Sequence, residues 1–281
     1  MRPSSLTAAH TLLTGLSMGE SPRWHQGRLW LSDWGAQEII AVDPSGRSEV
    51  VLKAPLGLPF CIDWLPGGPL LVVSGSAGLL LRREPGGSLV TYADLTSFSA
   101  AGWNEIVVDG RGNAYVNGGP GIIALVTPDG AVRQVAEGFA FPNGMAITPD
   151  NATLIIAESH GRKLTAFTIA ADGTLSDRRI WADLGSGVPD GICIDAEGAV
   201  WYADVPNQCC VRVREGGQVL ETVNLDRGGF ACMLGGPDRK TLFIIATEWR
   251  GMQHIQEVAA ARTGQVLTID APAPGDGWPF N

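Results

Sequence analysis

Glu20, Asn104, Asn143 and Asp190 are the residues of this chain whose types and spacing could do chemistry. Each precedes a short apolar run, and each stands eight positions ahead of a polar-turn residue, or seven for Glu20. The same count marks Phe60 and Ala231, giving six equivalent positions, four with side-chain oxygens and two apolar. If the six converge, two carboxylates and two amides meet at one mouth. Like charges crowd each other there and lose water, so the group calls for a cation or a dense hydrogen-bond network. Oxygen donors suit one hard divalent metal ion, Ca²⁺, Mg²⁺ or Mn²⁺, with Zn²⁺ and Fe²⁺ also admissible. The plainer reading makes Asn143-Gly144 and Asp190-Gly191 ordinary turns. Their shared register argues for convergence instead.

The elements that must position these residues recur with a period of roughly forty residues. Each unit has a short apolar run, a polar turn and a second run rich in aromatic and β-branched residues. The turns include His25-Gln26-Gly27, Pro66-Gly67-Gly68, Asp195 to Gly198 and Gly236-Pro237-Asp238; runs after them include Leu29-Trp30-Leu31, Ala114-Tyr115-Val116 and Val200-Trp201-Tyr202. Strand, turn, strand is a β-hairpin. A second hairpin follows in five units, as at Pro44-Ser45-Gly46 and Pro128-Asp129-Gly130. The pattern predicts an all-β, six-bladed β-propeller of four-stranded antiparallel blades, with residues 1–281 as one domain. The sixth unit stops near Gln265 to Ile269, so the N-terminal segment Leu6 to Leu13 is expected to supply its outer strand and close the ring. Only Gln253 to Arg262 reads as helical.

Composition narrows the partners. Twenty basic against 29 acidic residues give a net charge of −9, with no basic cluster longer than a pair. Nucleic acid and anionic membrane are therefore not expected partners. No stretch of 18 apolar residues could span a bilayer. Five scattered cysteines without C-x-x-C spacing are not a disulfide framework, and no clear cleavage site follows Met1 to Met18. A reducing cytoplasm is the expected compartment, and a monomer or small homo-oligomer the expected state.

Four motifs point further. Gly19-Glu20-Ser21-Pro22, the run Asn104-Glu105 to Asp109 with Gly112, Pro142-Asn143-Gly144 and Pro189-Asp190-Gly191 stand in a fixed order. With Ala231-Cys232-Met233-Leu234-Gly235-Gly236, the chain resembles the SMP-30/gluconolactonase/LRE-like family along nearly its whole length. The resemblance implies a metal-dependent hydrolase that opens a lactone ring, with Glu20, Asn143 and Asp190 as metal ligands. It also implies that Asp190 is the catalytic base or proton shuttle and that Asn104 approaches the metal or holds the substrate. The metal would polarise the carbonyl and activate a water; neither a serine-nucleophile motif nor a G-x-S-x-G elbow is expected in the chain, and so no covalent route. Trp103, Phe60, Asn117 and His160 are the further expected substrate contacts, with Trp34, Asn207, Trp249 and Phe98 on the rim. Sugar-lactone members often carry an Arg at the position of Gly102. Its loss removes up to five donors and points to a smaller or less polar lactone. Phosphotriester hydrolysis on the same metal, or a non-catalytic calcium-binding propeller, are the alternatives.

Overall fold

The computed structural model describes residues 9–279. They form six antiparallel sheets, the six blades of a β-propeller, four of them built of four consecutive strands and two completed by a strand from a chain end. The innermost strands are Gly19–His25, Phe60–Trp64, Trp103–Val108, Pro142–Ile147, Pro189–Asp195 and Gly228–Gly235. The turns inside the hairpins are held by side chains whose chemistry is visible in the sequence. Asp109 accepts from the backbone N–H groups of Arg111 and Asn113, and Asp195 does the same for Glu197 and Ala199.

Strand side chains alternate between the two faces of each blade, so every blade packs on both neighbours. Trp30 and Ile39 of the first blade meet Phe60, Ile62 and Trp64 of the second. Trp24 of the first stacks on Phe243 of the sixth at 5.4 Å. The ring closes because His10–Leu16 pairs with Gly264–Asp270, His10 opposite Thr268 and Leu16 opposite Gly264. This outer strand runs later than the expected Leu6 to Leu13, whose first three residues lie outside the described ones. The shift has a physical reason: Leu16 is buried in the core shared by the first and sixth blades, and Leu12 and Leu13 pack on its edge. The helical stretch is a 3-10 turn, Met252–His254, followed by an α-helix, Ile255–Ala261. None of the described helices is long and apolar enough to cross a membrane.

One element has no counterpart in the repeat. After the last blade strand, Gly275–Asp276 pairs with the inner strand of blade five at Ile194 and Asp195. Trp278 then exchanges two backbone hydrogen bonds with Ile147 of blade four, at 2.7 and 2.8 Å. Ile147 and Asp195 end the strands that begin beside Asn143 and Asp190. The C-terminal segment thus lies along the inner strands at the end remote from those residues.

Deleting residues 1–16 removes the closing strand and bares the edge of Gly264–Asp270. Loss of one fully buried leucine and two partly buried ones should cost roughly 3–6 kcal/mol, a large share of a typical domain's stability. Urea unfolding should show a lower midpoint, with aggregation of the exposed edge. An unchanged midpoint would mean that this strand is not what closes the ring.

Candidate active site

At the start of the inner strands lies a cavity of about 690 Å³ that Glu20, Asn104, Asn143 and Asp190 all line. Their side chains reach it because the inner strands are irregular there. The pairing with the second strand slips between Glu20 and Arg23, Trp103 and Ile106, Pro142 and Met145, and Pro189 and Ile192. A bulge re-aims a side chain out of the pleat, here toward the axis. In blade two the pairing is regular from Phe60 to Trp64. Without a bulge Phe60 turns into the core with Trp30 and Ile62, and Cys61 lines the cavity in its place.

Asn143-Gly144 and Asp190-Gly191 are not turns but parts of strands. Their glycines stand where neighbouring inner strands come too close to admit a side chain. A Cβ on Gly191 would lie 2.5 Å from the Cβ of Ala231, and one on Gly144 2.5 Å from the backbone N of Ile192. The loops feeding the strands are held by carboxylates at the ends of the second strands. Asp33 accepts from the N–H groups of Ser17 and Met18, Glu158 from Ala140, and Asp204 from Val188. Burial opposes ionisation of Glu158, yet the hydrogen bonds from the Ala140 N–H and the Thr165 hydroxyl, with the charges of Lys163 and Arg178, leave its carboxyl below the usual range.

Beneath the cavity floor, Arg23 ties three blades together. Its Nη2 donates to Glu105 Oε1 at 3.1 Å and to the carbonyl of Ile106 at 2.7 Å. Its Nε stands 3.8 Å from Asp63 Oδ1, while Asp63 Oδ2 accepts the N–H of Val108. Arg23, Asp63 and Glu105 are all buried. Burial pushes the Asp63 carboxyl up to about 6 despite the guanidinium.

Above that cluster the charge balance is poor. Burial, then the charges of Asp190 and Glu105, push the Glu20 carboxyl well above the ordinary range. Burial and Glu105 do the same to Asp190, against a hydrogen bond from Asn143. Two crowded carboxylates beside two amides fit a divalent cation, because Arg23 is engaged with Glu105 and Asp63. Glu20, Asn143 and Asp190 could hold it, with Asn104 alongside: Asn104 Nδ2 lies 3.4 Å from Asn143 Oδ1. Among the described residues no group of three His, Cys, Asp or Glu side chains is placed to hold a metal; the donors here include amides.

Of the other expected contacts, Trp103 and His160 line the cavity, and His160 stacks on Phe141 at 4.7 Å. Asn117 does not line it; fully buried, its amide donates to the Asn143 carbonyl at 2.6 Å and holds that strand. Ala231 is turned into the core and Phe230 takes its place at the wall. Trp34 and Trp249 are on the rim, whereas Phe98 and Asn207 are not, Asn207 being bound to Asp204. Gly102 has φ 83° and its carbonyl accepts the N–H of Gly119, so this position serves the loop's conformation. Gly15-Leu16-Ser17-Met18-Gly19 does have the spacing of a serine elbow, contrary to expectation. Ser17 is buried between two strands and its Oγ accepts from Arg262, while the neighbouring Asp33 carboxylate is occupied by the backbone N–H groups of Ser17 and Met18.

Residues 18–248 match the model of the SMP-30/gluconolactonase/LRE-like region. The chain belongs to that family. Within it, regucalcin of Xenopus laevis is 28% identical over 250 residues, covering 81% of this chain and 82% of its own. A pentonolactonase of Haloferax volcanii is 24% identical over 289 residues, covering 96% of each chain. The crystal structure of a calcium-binding protein, regucalcin, from Agrobacterium tumefaciens shares the fold, with a TM-score of 0.78 and 21% identity over 99% of this chain and 97% of that one.

Arg23→Leu leaves Asp63 and Glu105 buried without their cation, and should cost about 3–5 kcal/mol in urea unfolding. Gly191→Ala sets a methyl against Ala231 and should cost about 1–3 kcal/mol. Wild-type stability in either variant would contradict the packing given for that position.

Proposed function

We propose that this member of the family is a metal-dependent lactonase, hydrolysing a cyclic ester at the cavity of Glu20, Asn104, Asn143 and Asp190. The observation that carries the reading is the meeting of these four oxygen-bearing side chains in one cavity of a chain whose relatives include a pentonolactonase and other named lactonases. Glu20, Asn143 and Asp190 would be the protein ligands. A bound divalent cation would supply polarisation of the lactone carbonyl and a more acidic water.

The chain's own residues do the rest. Asp190, at the edge of the floor, takes the proton of the water whose oxygen adds to the carbonyl carbon. When the ring C–O bond breaks, the same carboxyl returns the proton to the leaving alkoxide, so the product is a hydroxy acid. Asn104 donates an amide N–H to the substrate and orients the ring. Asn117 and the Ser159 hydroxyl, which donates to the Pro189 carbonyl at 2.7 Å, hold the strands that carry Asn143 and Asp190. Trp103 and the apolar wall exclude bulk water and strengthen the polar contacts within.

The test is a chelated protein assayed with γ- and δ-lactones and an aryl phosphotriester, before and after return of Ca²⁺, Mg²⁺, Mn²⁺ or Zn²⁺. Lactone hydrolysis should vanish with chelation and return with metal. Asp190→Asn should lower kcat by about 10²–10⁴-fold, the usual weight of a positioned acid–base group. Phosphotriester turnover without lactone turnover would replace this reading with its neighbour. Metal binding without either activity would favour a calcium-binding role.

A further inference from the structure

The polar side chains of the cavity are gathered at its floor, in Glu20, Asn104, Glu105, Asn143 and Asp190, with Ser159 and His160 to one side. No lysine or arginine lines it among the described residues. The remaining wall is apolar: Trp34, Phe141, Phe230, Trp249, Met252 and Ile255 stand around it. Phe230 and Trp249 meet edge to face at 5.4 Å, and Trp34 is fixed by its indole N–H on the Phe60 carbonyl. Trp249, Met252 and Ile255 come from the segment between Thr241–Thr247 and Gly264–Asp270, where the other blades make short turns.

Two observations say what such a wall is for. Phe141 is 52% and Met252 67% exposed, so large apolar side chains face solvent at the rim. Exposed apolar surface beside a pocket marks a place that a ligand covers. The cavity of about 690 Å³ is also in the range of drug-sized ligands and larger than a bare lactone ring needs. A polyhydroxylated ring would bring hydroxyls against a wall with few partners, and each unpaired hydroxyl costs affinity.

We infer that the site selects lactones bearing an apolar alkyl or aryl arm, the ring at the Glu20, Asn143 and Asp190 floor and the arm along the aromatic and Met252 wall. This rests on the lactonase reading above. It keeps the expectation of a less polar substrate and reverses the expectation of a smaller one.

The test uses the full chain loaded with metal and a series of γ-butyrolactone, γ-hexanolactone and γ-decalactone, with glucono-δ-lactone as the polar comparison. Burial of each methylene should raise kcat/KM about fourfold until the arm fills the wall. γ-Decalactone should exceed glucono-δ-lactone. Phe141→Ser and Met252→Ser, both at exposed positions, should each cut the preference for the long arm over γ-butyrolactone, about tenfold for the pair combined. In parallel, pyrrolidinones with the same alkyl arms are titrated by calorimetry, since their amide bond is not opened. Their Kd should fall with arm length in step with the lactone series. Lactone turnover that favours glucono-δ-lactone, or ignores arm length, overturns the inference and leaves the lactonase reading standing. Absence of any lactone turnover overturns the lactonase reading instead. In that case the pyrrolidinone series still decides: a Kd independent of arm length sinks the apolar-arm site.

Discussion

Arg23 is the interaction on which the cavity's geometry depends. It belongs to the first blade, Asp63 to the second and Glu105 to the third, and all three side chains are withdrawn from water. Taking such charges into the interior is costly, and their attraction offsets that only when the remaining hydrogen-bonding capacity is met. Here most of it is met by backbone: the carbonyls of Pro22 and Ile106 accept from Arg23, and the N–H groups of Trp64 and Val108 donate to Asp63, while Arg23 Nε faces Asp63 at 3.8 Å without a hydrogen-bond partner. The cluster locks the relative heights of three inner strands, and through them the positions of Glu20 and Asn104. Among the described residues it also leaves Glu20 and Asp190 without an ion pair of their own, the Arg23 charge only partly offsetting the burial of Glu20.

The axis imposes a second constraint. Six strands converge on a narrow space, so some backbones must come close enough to exclude a side chain. Gly144 and Gly191 meet that need directly after Asn143 and Asp190. A glycine and a bulge at the same place bring a polar side chain to the axis while the strand continues into the core. Blade two has neither device at Phe60, and its phenylalanine stays in the core.

These constraints act at one end of the inner strands. At the other end the C-terminal segment pairs with blades four and five, and Trp278 lies against Gly110, where a Cβ would meet its ring at 2.6 Å. The two ends are therefore built differently: one carries oxygen-bearing side chains beneath an apolar rim, the other carries the chain's own tail.

The six blades, the ring closure and the register of Glu20, Asn104, Asn143 and Asp190 were all legible in the sequence. They depend on local periodicity, which repeats with each hairpin and needs no knowledge of distant contacts. The directions of individual side chains were not. Phe60 and Ala231 stood at positions that counting marked, and Asn117 at the end of a second strand, yet a single bulge flips which face a residue takes. Nor did the pattern reveal that Arg23, Asp63 and Glu105 meet, or that the tail returns to the axis. Those contacts join residues far apart in the chain, and only the closing of the ring brings them together. The sequence by itself determined the blades and the oxygen-bearing residues available to the site. The tertiary structure decided which of them face the cavity, because burial and strand approach at the axis are properties of the whole ring.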